Sequence, residues 1–412
     1  MPASNLLIFG ASTRAAAFSA LRAGFTPWCA DLFADADLGA RCQAASVPPS
    51  AYPQSFLEWC RSDRVGPWMY TGGLENHPYL VQVMASVRPL LGNNHGALER
   101  ARAPEVLAAI VSGAGLPGPA LFGEYPAEFP SEGRWLVKPR RGAGGSGIRF
   151  WDGRPRPPRA GRAVYLQEYI EGEACSAVYV GDGEQARLLG VTQQLIGEAK
   201  LHAAPFRYCG SIGPLQMPDT VGNSFERLGK ALAAGCDLRG LFGVDCVLAD
   251  GVPYLVEVNP RYPASVEVLE YAAGVPALAL HCAAFDPSYR SPSPLGGEGL
   301  GVRGREIELA KANSSPPAPL PQGERGARVV GKAILFARAD LDFPAEGPWL
   351  ETLRHPCDIN DMPAFADIPH AGQHIEAGRP ILTIFARAAC VVECKTELWR
   401  AAAELEHWLY SR

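Results

Sequence analysis

The stretch that decides the fold covers residues 240–261 and reads Gly-Leu-Phe-Gly-Val-Asp-Cys-Val-Leu-Ala-Asp-Gly-Val-Pro-Tyr-Leu-Val-Glu-Val-Asn-Pro-Arg. Two apolar runs flank an Asp-Gly pair, a pattern that predicts a β-hairpin. Side chains alternate along a strand, so Glu257 and Asn259 share one face of the second strand. If the hairpin closes through a three-residue loop at residues 250–252, Asp245 lies directly opposite Glu257.

An oxygen-rich cluster of Asp245, Glu257 and Asn259 suits Mg²⁺ (or Mn²⁺), which takes a few carboxylates together with substrate phosphates. Arg261 adds a bidentate anion donor beside the cluster. The alternative is an ordinary hairpin with one solvated face. Acids set among Val, Leu and Cys are costly to bury without a cation or hydrogen-bonding partners, and we therefore favour a metal site.

A glycine-rich loop lies upstream of this hairpin. Residues 135–139 form a strand-like run that carries Lys138, and residues 142–147 follow as Gly-Ala-Gly-Gly-Ser-Gly. Glycine lets backbone N–H groups approach phosphate oxygens closely, and Lys138 supplies a point charge, so the segment predicts a phosphate clamp. It is not a Walker motif, since no Gly-Lys-Ser/Thr follows, and a flexible turn is the alternative.

A third segment is an apolar strand that ends in the acidic sequence Gln-Glu-Tyr-Ile-Glu-Gly-Glu at residues 167–173. Carboxylates and exposed backbone groups at a strand end can hydrogen-bond an adenine edge and ribose hydroxyls. Solvated turn residues would give the same pattern, so this segment predicts a nucleotide only in combination with the other two.

In their order along the chain, namely glycine-rich loop, acidic segment and hairpin, the three segments resemble the ATP-grasp superfamily over roughly residues 80–275. The resemblance implies an α/β (α+β) fold, metal binding by Asp245, Glu257 and Asn259, and catalytic roles for Arg261 and Lys138. It implies ATP contacts from Lys138, Gly142, Gly144, Gly145, Ser146, Gly147, Gln167, Glu168, Tyr169, Ile170 and Glu173. The family commonly has Glu where this chain has Asp245, and Ala174 occupies the usual position of its ribose-binding Glu, so Glu173 takes that role.

The flanking sequence completes the domain organisation. Residues 6–9 are an apolar run followed by Gly10 and an Ala-rich stretch, a strand-turn-helix pattern of Rossmann type, although only Gly10 of the dinucleotide fingerprint is present. The resemblance implies a Rossmann-like pre-ATP-grasp domain at residues 1–92, an ATP-grasp domain at 93–287 and a small C-terminal β domain with a final helix at 328–412. Residues 288–327, rich in Pro, Gly, Ser and Glu, are predicted to be a disordered insertion.

Three helices are predicted from apolar residues at helical spacing. They cover residues 104–115, about residues 224–234, and a final helix that carries Leu398, Ala402, Leu405 and Leu409. The last of these is expected to pack onto the strands that precede it.

The composition excludes several classes of protein. The 412 residues carry a formal net charge of -5, which gives no general electrostatic reason to bind nucleic acid or an anionic membrane. The sequence has neither an apolar run of the roughly 20 residues that a membrane span needs nor the basic start of a signal peptide. We expect a cytoplasmic protein whose 11 cysteines are free thiols.

The resemblance implies that a substrate carboxylate attacks the γ-phosphate of ATP, giving ADP and an acyl phosphate that an amine or similar nucleophile captures. Gln193, Arg207 and Tyr208 lie where family members line the substrate pocket, and a structural turn is the alternative for them. Two other functions remain open: activation of bicarbonate, and non-catalytic ATP sensing. The partners are therefore small molecules, and a homodimer is compatible with the family.

Overall fold

A computed structural model of the chain describes residues 4–123, 133–154, 163–287, 289 and 329–411. The predicted insertion at residues 288–327 lies outside these ranges except for Tyr289. The described part contains both helices and several sheets, which confirms the expected mixed α/β fold.

The N-terminal unit is a parallel sheet with helices around it. Its strands are β1 (Asn5–Phe9), β2 (Thr26–Asp31), β3 (Gln43–Ser46) and β4 (Trp68–Tyr70), in the order β3-β2-β1-β4. Its helices are α1 (Arg14–Arg22), α2 (Ala36–Gly39), α3 (Phe56–Arg61) and α4 (Pro78–Val87), and a 3-10 turn, Leu74–Asn76, precedes α4. Residues 6–9 are completely buried, as their unbroken apolar run predicts for a strand covered on both faces.

A four-stranded antiparallel sheet carries the glycine-rich loop. It contains β5 (Leu121–Phe122), β6 (Trp135–Pro139), β7 (Arg149–Phe150) and β8 (Val164–Glu168), in the order β5-β8-β6-β7. Helices α5 (His95–Ala101) and α6 (Pro104–Gly113) lead into it. Because β6 and β7 pair with each other, the loop between them is the tip of a hairpin.

The largest sheet has eight strands, and the hairpin that carries Asp245 and Glu257 lies at one of its edges. Its order is β13-β12-β9-β10-β11-β14-β18-β16. These strands are β9 (Glu173–Asp182), β10 (Ala186–Ile196), β11 (Tyr208–Gly213), β12 (Arg239–Ala249), β13 (Val252–Asn259), β14 (Val329–Phe336), β16 (Phe365–Ala366) and β18 (Pro380–Ala388). A separate pair consists of β15 (Leu341–Asp342) and β17 (His374–Ile375).

Because β11 pairs with β14, one sheet runs across the boundary predicted between residues 287 and 328. The predicted domain limits themselves stay a prediction.

Five further helices cover this sheet. They are α7 (Asp219–Cys236), α8 (Val266–Ala273), α9 (Ala277–Phe285), α10 (Leu350–Arg354) and α11 (Val391–Tyr410). The predicted helices at residues 104–115 and 398–409 are confirmed by α6 and α11, and the four apolar residues of α11 are buried as expected. Helix α7 begins five residues before the predicted start, with Pro218 preceding it and Asp219 in its first turn, where an acid is favourable.

The hairpin of β12 and β13 has the predicted pairing of Asp245 with Glu257, but its turn differs from the predicted one. The predicted three-residue loop is wrong, because Ala249 pairs with Val252 and only Asp250 and Gly251 form the turn. Both turn residues have positive φ, as a tight hairpin with the strands' natural twist requires.

That two-residue turn alone would place Asp245 opposite Val256. A bulge between Asp245 and Cys246 shifts the register by one residue and brings Asp245 opposite Glu257 after all. The predicted pairing is therefore present, and the bulged strand residue is Val256.

Among the described residues, no single helix has the length and apolar composition to cross a membrane. The pair α8 and α9, bent by 118° at the break between them, passes that test only when the two are taken together. The 11 cysteines are free thiols, as predicted, and eight of them are buried.

Candidate active site

Lys138 is the buried cation of the predicted phosphate clamp. It lies on β6 and is 4% exposed. Its Nζ donates to Oε1 of Gln167 at 2.8 Å and to the carbonyl oxygen of Val256 at 3.1 Å. Burial lowers the pKa of Lys138, an effect that the charges of Glu257 and Asp245 oppose. The clamp lysine is thus held between the glycine-loop sheet and the bulge of β13.

The three predicted metal ligands lie together at the end of the hairpin. Nδ2 of Asn259 donates to Oδ2 of Asp245 at 2.9 Å, and Nε2 of Gln194 donates to Oδ1 of Asp245 at 3.0 Å. Burial, followed by the charge of Glu257, raises the pKa of Asp245 from 3.8 to about 6. Two carboxylates therefore face each other with too little positive charge around Asp245 to keep it at its ordinary pKa.

Arg261 extends this cluster toward the N-terminal unit. Its Nη2 donates to Oδ1 of Asn259 at 3.0 Å, and its Nε donates to Oε1 of Glu75 at 3.0 Å. Glu75 is almost completely buried, so the two form a buried ion pair. The orientation of Arg261 is thus fixed by both the hairpin and the turn that precedes α4.

Sequence reasoning missed Arg102, which follows α5. Its Nη1 forms an ion pair with Glu257, and its Nη2 donates to the carbonyl oxygen of Gly142 at 3.0 Å and to Oδ1 of Asn76 at 3.1 Å. Burial works to raise the pKa of Glu257, but Arg102 and then Lys138 outweigh it and the pKa lies below its ordinary value. Arg102 therefore joins a predicted metal ligand to the glycine-rich loop.

Glu75, Asn76 and Tyr52 were also missed. A signal for the first two was present in the Gly-Gly-Leu-Glu-Asn-His-Pro sequence at residues 72–78, where two glycines and an acid come just before a helix start. Tyr52 gave no such signal. Its hydroxyl is buried near Glu75 and Arg261 and has no hydrogen-bond partner among the described residues.

The glycine-rich loop is closed onto the segment before β11. A Cβ built on Gly145 would lie 1.7 Å from the carbonyl oxygen of Phe206, and the N–H of Tyr208 donates to the carbonyl oxygen of Gly144 at 3.4 Å. The cavity beneath the loop, lined by Lys138 and Glu257 among others, has a volume of about 70 Å³. Small-molecule pockets have roughly 300 Å³ or more, so nucleotide entry requires the loop to move away from Phe206.

The predicted adenine segment lies at the end of β8. Glu168 exchanges hydrogen bonds with Ala120, each of 2.9 Å, and the N–H of Tyr169 donates to the carbonyl oxygen of Arg134. Within the described part of the chain, the lining of the cavity includes Gln167 but none of Glu168, Tyr169, Ile170 and Glu173. Their predicted contacts with ATP stay a prediction.

The predicted substrate residues are divided between two places. Tyr208 is near the loop, and its hydroxyl lies 2.8 Å from Oγ of Ser211. Arg207 is directed toward the ring of Phe336. Gln193 points to the other side of β10, where its Nε2 donates to Glu173 at 2.6 Å. The structure therefore does not bring these three side chains together.

The donor set of the hairpin fits a magnesium ion. The described residues contain no cluster of three or more His, Cys, Asp or Glu side chains that could hold a metal by themselves. Asp245 and Glu257 supply two carboxylates and Asn259 an amide, and Mg²⁺ usually completes such a partial set with water and phosphate oxygens. The raised pKa of Asp245 indicates a site where an added cation would be stabilising.

Comparison with known families identifies the central part of the chain. A family described as the ATP-grasp domain matches residues 108–265. Residues 108–265 belong to the ATP-grasp family. The match includes the glycine-rich loop, β8 and the hairpin that carries Asp245, Glu257 and Asn259. Four residues of the site lie before it in the chain: Arg102, Glu75, Asn76 and Tyr52.

Relatives in sequence match part of the chain. The 3-methyl-D-ornithine–L-lysine ligase of Methanosarcina mazei is 25% identical over 162 residues, which are 39% of this chain and 41% of that protein. The carbamoyl phosphate synthase large chain of Thermoanaerobacter pseudethanolicus is 30% identical over 125 residues, 29% of this chain and 11% of that protein. The aligned region spans less than half of each of these relatives.

Solved ATP-grasp structures share the fold along nearly the whole chain. The L-amino acid ligase from Bacillus licheniformis superposes with a TM-score of 0.66 at 16% identity, covering 98% of both chains. Phosphoribosylamine–glycine ligase from Thermotoga maritima gives a TM-score of 0.62 at 16% identity, covering 98% of this chain and 96% of the other. The flanks thus also have the fold of ATP-grasp ligases.

Proposed function

We propose that the protein is an ADP-forming ligase that uses Mg-ATP to activate a carboxylate as an acyl phosphate and transfers the acyl group to an amine. One observation carries the proposal. Contacts along the paired strands β12 and β13 bring together the lysine of the glycine-loop hairpin, the two acids and the arginine. Lys138 contacts Val256, Glu257 contacts Arg102 and lies opposite Asp245, and Asn259 contacts both Asp245 and Arg261. A protein that only binds ATP has no need for Arg261 or the complete acid set.

The reaction that these residues suit is a transfer of the γ-phosphoryl group. The carboxylate oxygen attacks the γ-phosphorus, the bond to the β-phosphate oxygen breaks, and ADP leaves. The amine nitrogen then attacks the acyl carbon and phosphate leaves; an ammonium reactant loses two protons, one to the phosphate and one to solvent. No covalent enzyme intermediate is required.

Each residue has a role in this scheme. Lys138 neutralises phosphate charge from within the protein, and Arg261 stabilises the negative charge on the transferred group. Asp245, Glu257 and Asn259 would hold Mg²⁺, whose charge offsets that of the phosphates. Arg102 orients Glu257 and the loop, and the glycine-rich loop excludes water once closed.

The names of the relatives support the class of reaction. The Methanosarcina protein is called a 3-methyl-D-ornithine–L-lysine ligase, and two structural neighbours are called an L-amino acid ligase and a phosphoribosylamine–glycine ligase. On the same basis we propose small-molecule acid and amine substrates. A cytoplasmic location and a homodimer are proposals that rest on the sequence alone.

Release of ADP tests the proposal. The purified chain is incubated with Mg-ATP and a matrix of carboxylates and amines, with bicarbonate as a further acid, and is compared with Glu257→Gln. We expect release that depends on one acid and one amine and falls at least about 100-fold in the variant. Glu226→Gln changes an exposed glutamate of α7 in the same way and serves as the matched control.

The other outcomes decide between the alternatives. Release that requires bicarbonate and no other acid would favour the bicarbonate-activating function. Binding of ATP without release for any pair in the matrix would contradict the ligase and favour an ATP sensor.

A further inference from the structure

A second, larger cavity lies between the N-terminal sheet and the C-terminal strands. Its volume is about 350 Å³, within the range of small-molecule sites. Ser12, Phe33 and Asp35 line it from the N-terminal unit, and Asp367 with residues of β14 and β18 lines it from the opposite side.

Asp35 is a buried acid without a partner in this cavity. It is 5% exposed, its side chain makes no cap hydrogen bond to α2, and no hydrogen bond or ion pair joins this side chain to another described residue. The acids around it are satisfied: Asp31 accepts from the backbone of Thr13, Asp37 accepts from the backbone N–H of Ile368, and Asp367 pairs with Arg14.

The electrostatic surroundings of Asp35 favour a cation. Burial and the neighbouring Asp367, Asp37 and Asp31 raise its pKa well above the ordinary value, and Arg14 opposes this effect. Arg14 donates to Glu267 and Asp367, and among the described residues no Lys, Arg or His forms an ion pair with Asp35. An isolated buried acid of this kind is costly, and a ligand that brings a positive charge would offset the cost.

The rest of the lining selects the shape of that ligand. Phe33, Ile334 and Ile381 give the cavity apolar walls next to the acid. Charged side chains also reach the cavity at Arg379 and Glu376, but both residues are exposed, so water weakens their effect. The combination suits a small amine with an apolar body whose ammonium group reaches Asp35.

The cavity also lies close to the active site. The carbonyl oxygen of Ser12 accepts a hydrogen bond of 2.7 Å from Oγ1 of Thr71. Thr71 is followed by Gly72, where a Cβ would lie 3.5 Å from the guanidinium group of Arg261. One strand end, residues 71–72, therefore separates the Ser12 wall of the cavity from the catalytic arginine of the proposed reaction.

We propose that this cavity binds a small primary amine through Asp35 and, resting on the ligase function proposed above, that this amine is the acyl acceptor. The second substrate is then a cation with an apolar body, and Asp35 of the N-terminal unit recognises it. Asp35 holds the ammonium form and takes no part in phosphoryl transfer; the amine leaves this ion pair and loses a proton to solvent before its nitrogen attacks the acyl phosphate.

Direct binding tests the site independently of turnover. Calorimetric titrations of the full chain compare n-butylamine, cyclohexylamine and benzylamine with the matching neutral alcohols. We expect the amines to bind at least about tenfold more tightly than their alcohols, and Asp35→Asn to remove this preference. Asp63→Asn, an exposed change in the same unit, should leave it intact.

The wild-type comparison decides the question even where Asp35→Asn fails to fold. No preference for the amine in any of the three pairs overturns the proposal, as does a preference that survives in folded Asp35→Asn. Unchanged binding of the alcohols to the variant shows that the cavity is intact.

Turnover then separates this proposal from the ligase itself. In the ADP-release assay, Asp35→Asn should raise KM for the amine at least about tenfold and leave KM for ATP and for the acid unchanged. Amine binding without ADP release for any pair rejects the ligase and the acceptor role and retains the amine site. ADP release with an unchanged KM for the amine rejects the acceptor role alone.

Discussion

At the residue scale, Asp245 shows what the proposed metal site costs the free energy of folding while no ligand is bound. Its pKa of about 6 exceeds the usual 3.8 because it is buried next to Glu257. As the pH rises from 3.8 to about 6, the carboxyl group ionises in the unfolded chain while it stays protonated in the fold. The free energy of unfolding therefore falls over this range, and the cost persists at higher pH.

We predict that Asp245→Asn stabilises the ligand-free protein at pH 8 and has little effect at pH 4. Each unit by which the pKa is raised in the fold costs about 1.4 kcal/mol of folding free energy at pH 8. Because Asp245 is partly exposed, we expect the variant to gain only about 1–2 kcal/mol in its free energy of unfolding. The side-chain amide of Gln194 can rotate to accept from the new Asn. The measurement is chemical denaturation at both pH values, with and without Mg-ATP.

Asp250→Asn is the control for that experiment, since Asp250 is exposed in the turn of the same hairpin and its positive φ suits Asn. Mg-ATP should stabilise the wild type and this control but not Asp245→Asn. Equal stability of Asp245→Asn and wild type at pH 8 would show that the buried charge is not destabilising.

The sequence predicted the residues of the hairpin better than their surroundings. Alternation along a strand is a local property, so Glu257 and Asn259 could be placed on one face without knowledge of the tertiary structure. Arg102 and Glu75 reach the site from elements more than 150 residues away in sequence, and no local pattern marks a long-range contact of this kind.

At the element scale, the hairpin shows how a correct pairing can follow from a wrong loop. The Asp-Gly turn selects a two-residue loop. The bulge at Val256 then shifts the register by one residue and so restores the predicted pairing of Asp245 with Glu257. A bulge has no sequence signature as clear as that of a turn. The bulged residue contacts the predicted phosphate clamp, because the carbonyl oxygen of Val256 accepts a hydrogen bond from Lys138.

The glycine-rich loop gives a prediction at the same scale. We expect Gly145→Ala to bind Mg-ATP at least about tenfold more tightly than Gly144→Ala, because the Cβ at residue 145 would overlap the carbonyl oxygen of Phe206 and so destabilise the closed loop, whose cavity is too small for a nucleotide. Gly144→Ala is matched to it: φ is also positive, but no atom lies within 4 Å of its Cβ. Calorimetric titration with Mg-ATP measures both.

Backbone strain of about 1–2 kcal/mol affects both loop variants, so their difference isolates the contact with Phe206. A change in affinity of the same size in both variants would attribute the effect to strain and contradict the closing contact.

At the scale of the whole molecule, a buried group of charges joins the N-terminal unit to the eight-stranded sheet and its helix α8. Arg14 of α1 is completely buried and forms ion pairs with Glu267 of α8 and with Asp367 before β18. Lys332 of β14 donates to Glu267 at 3.4 Å. This group sits directly behind the amine cavity, so the position of the N-terminal unit over the large sheet depends on it.

We predict that Arg14→Met lowers the free energy of unfolding by about 3–5 kcal/mol at pH 8, because it leaves buried carboxylates without their main cation. Burial works to raise the pKa values of Glu267 and Asp367, but Arg14 outweighs it and both lie below the ordinary value. Their contribution is complete above the ordinary carboxyl pKa and is lost as the pH falls through the lowered values.

Without Arg14, burial raises the pKa values of both acids, so that they become protonated in the folded variant in mild acid. The cost of Arg14→Met should therefore be smaller at pH 4 than at pH 8, and denaturation at both pH values measures it. Arg61→Met, an exposed change at the end of α3, is the control and should stay within about 0.5 kcal/mol of wild type. Adding Glu267→Gln to Arg14→Met should recover part of the loss at pH 8, since it removes one of the stranded charges. A loss that is equal at both pH values, with no recovery in the double variant, would attribute the effect of Arg14 to packing instead of charge, and the units would then be held together by their apolar contacts alone.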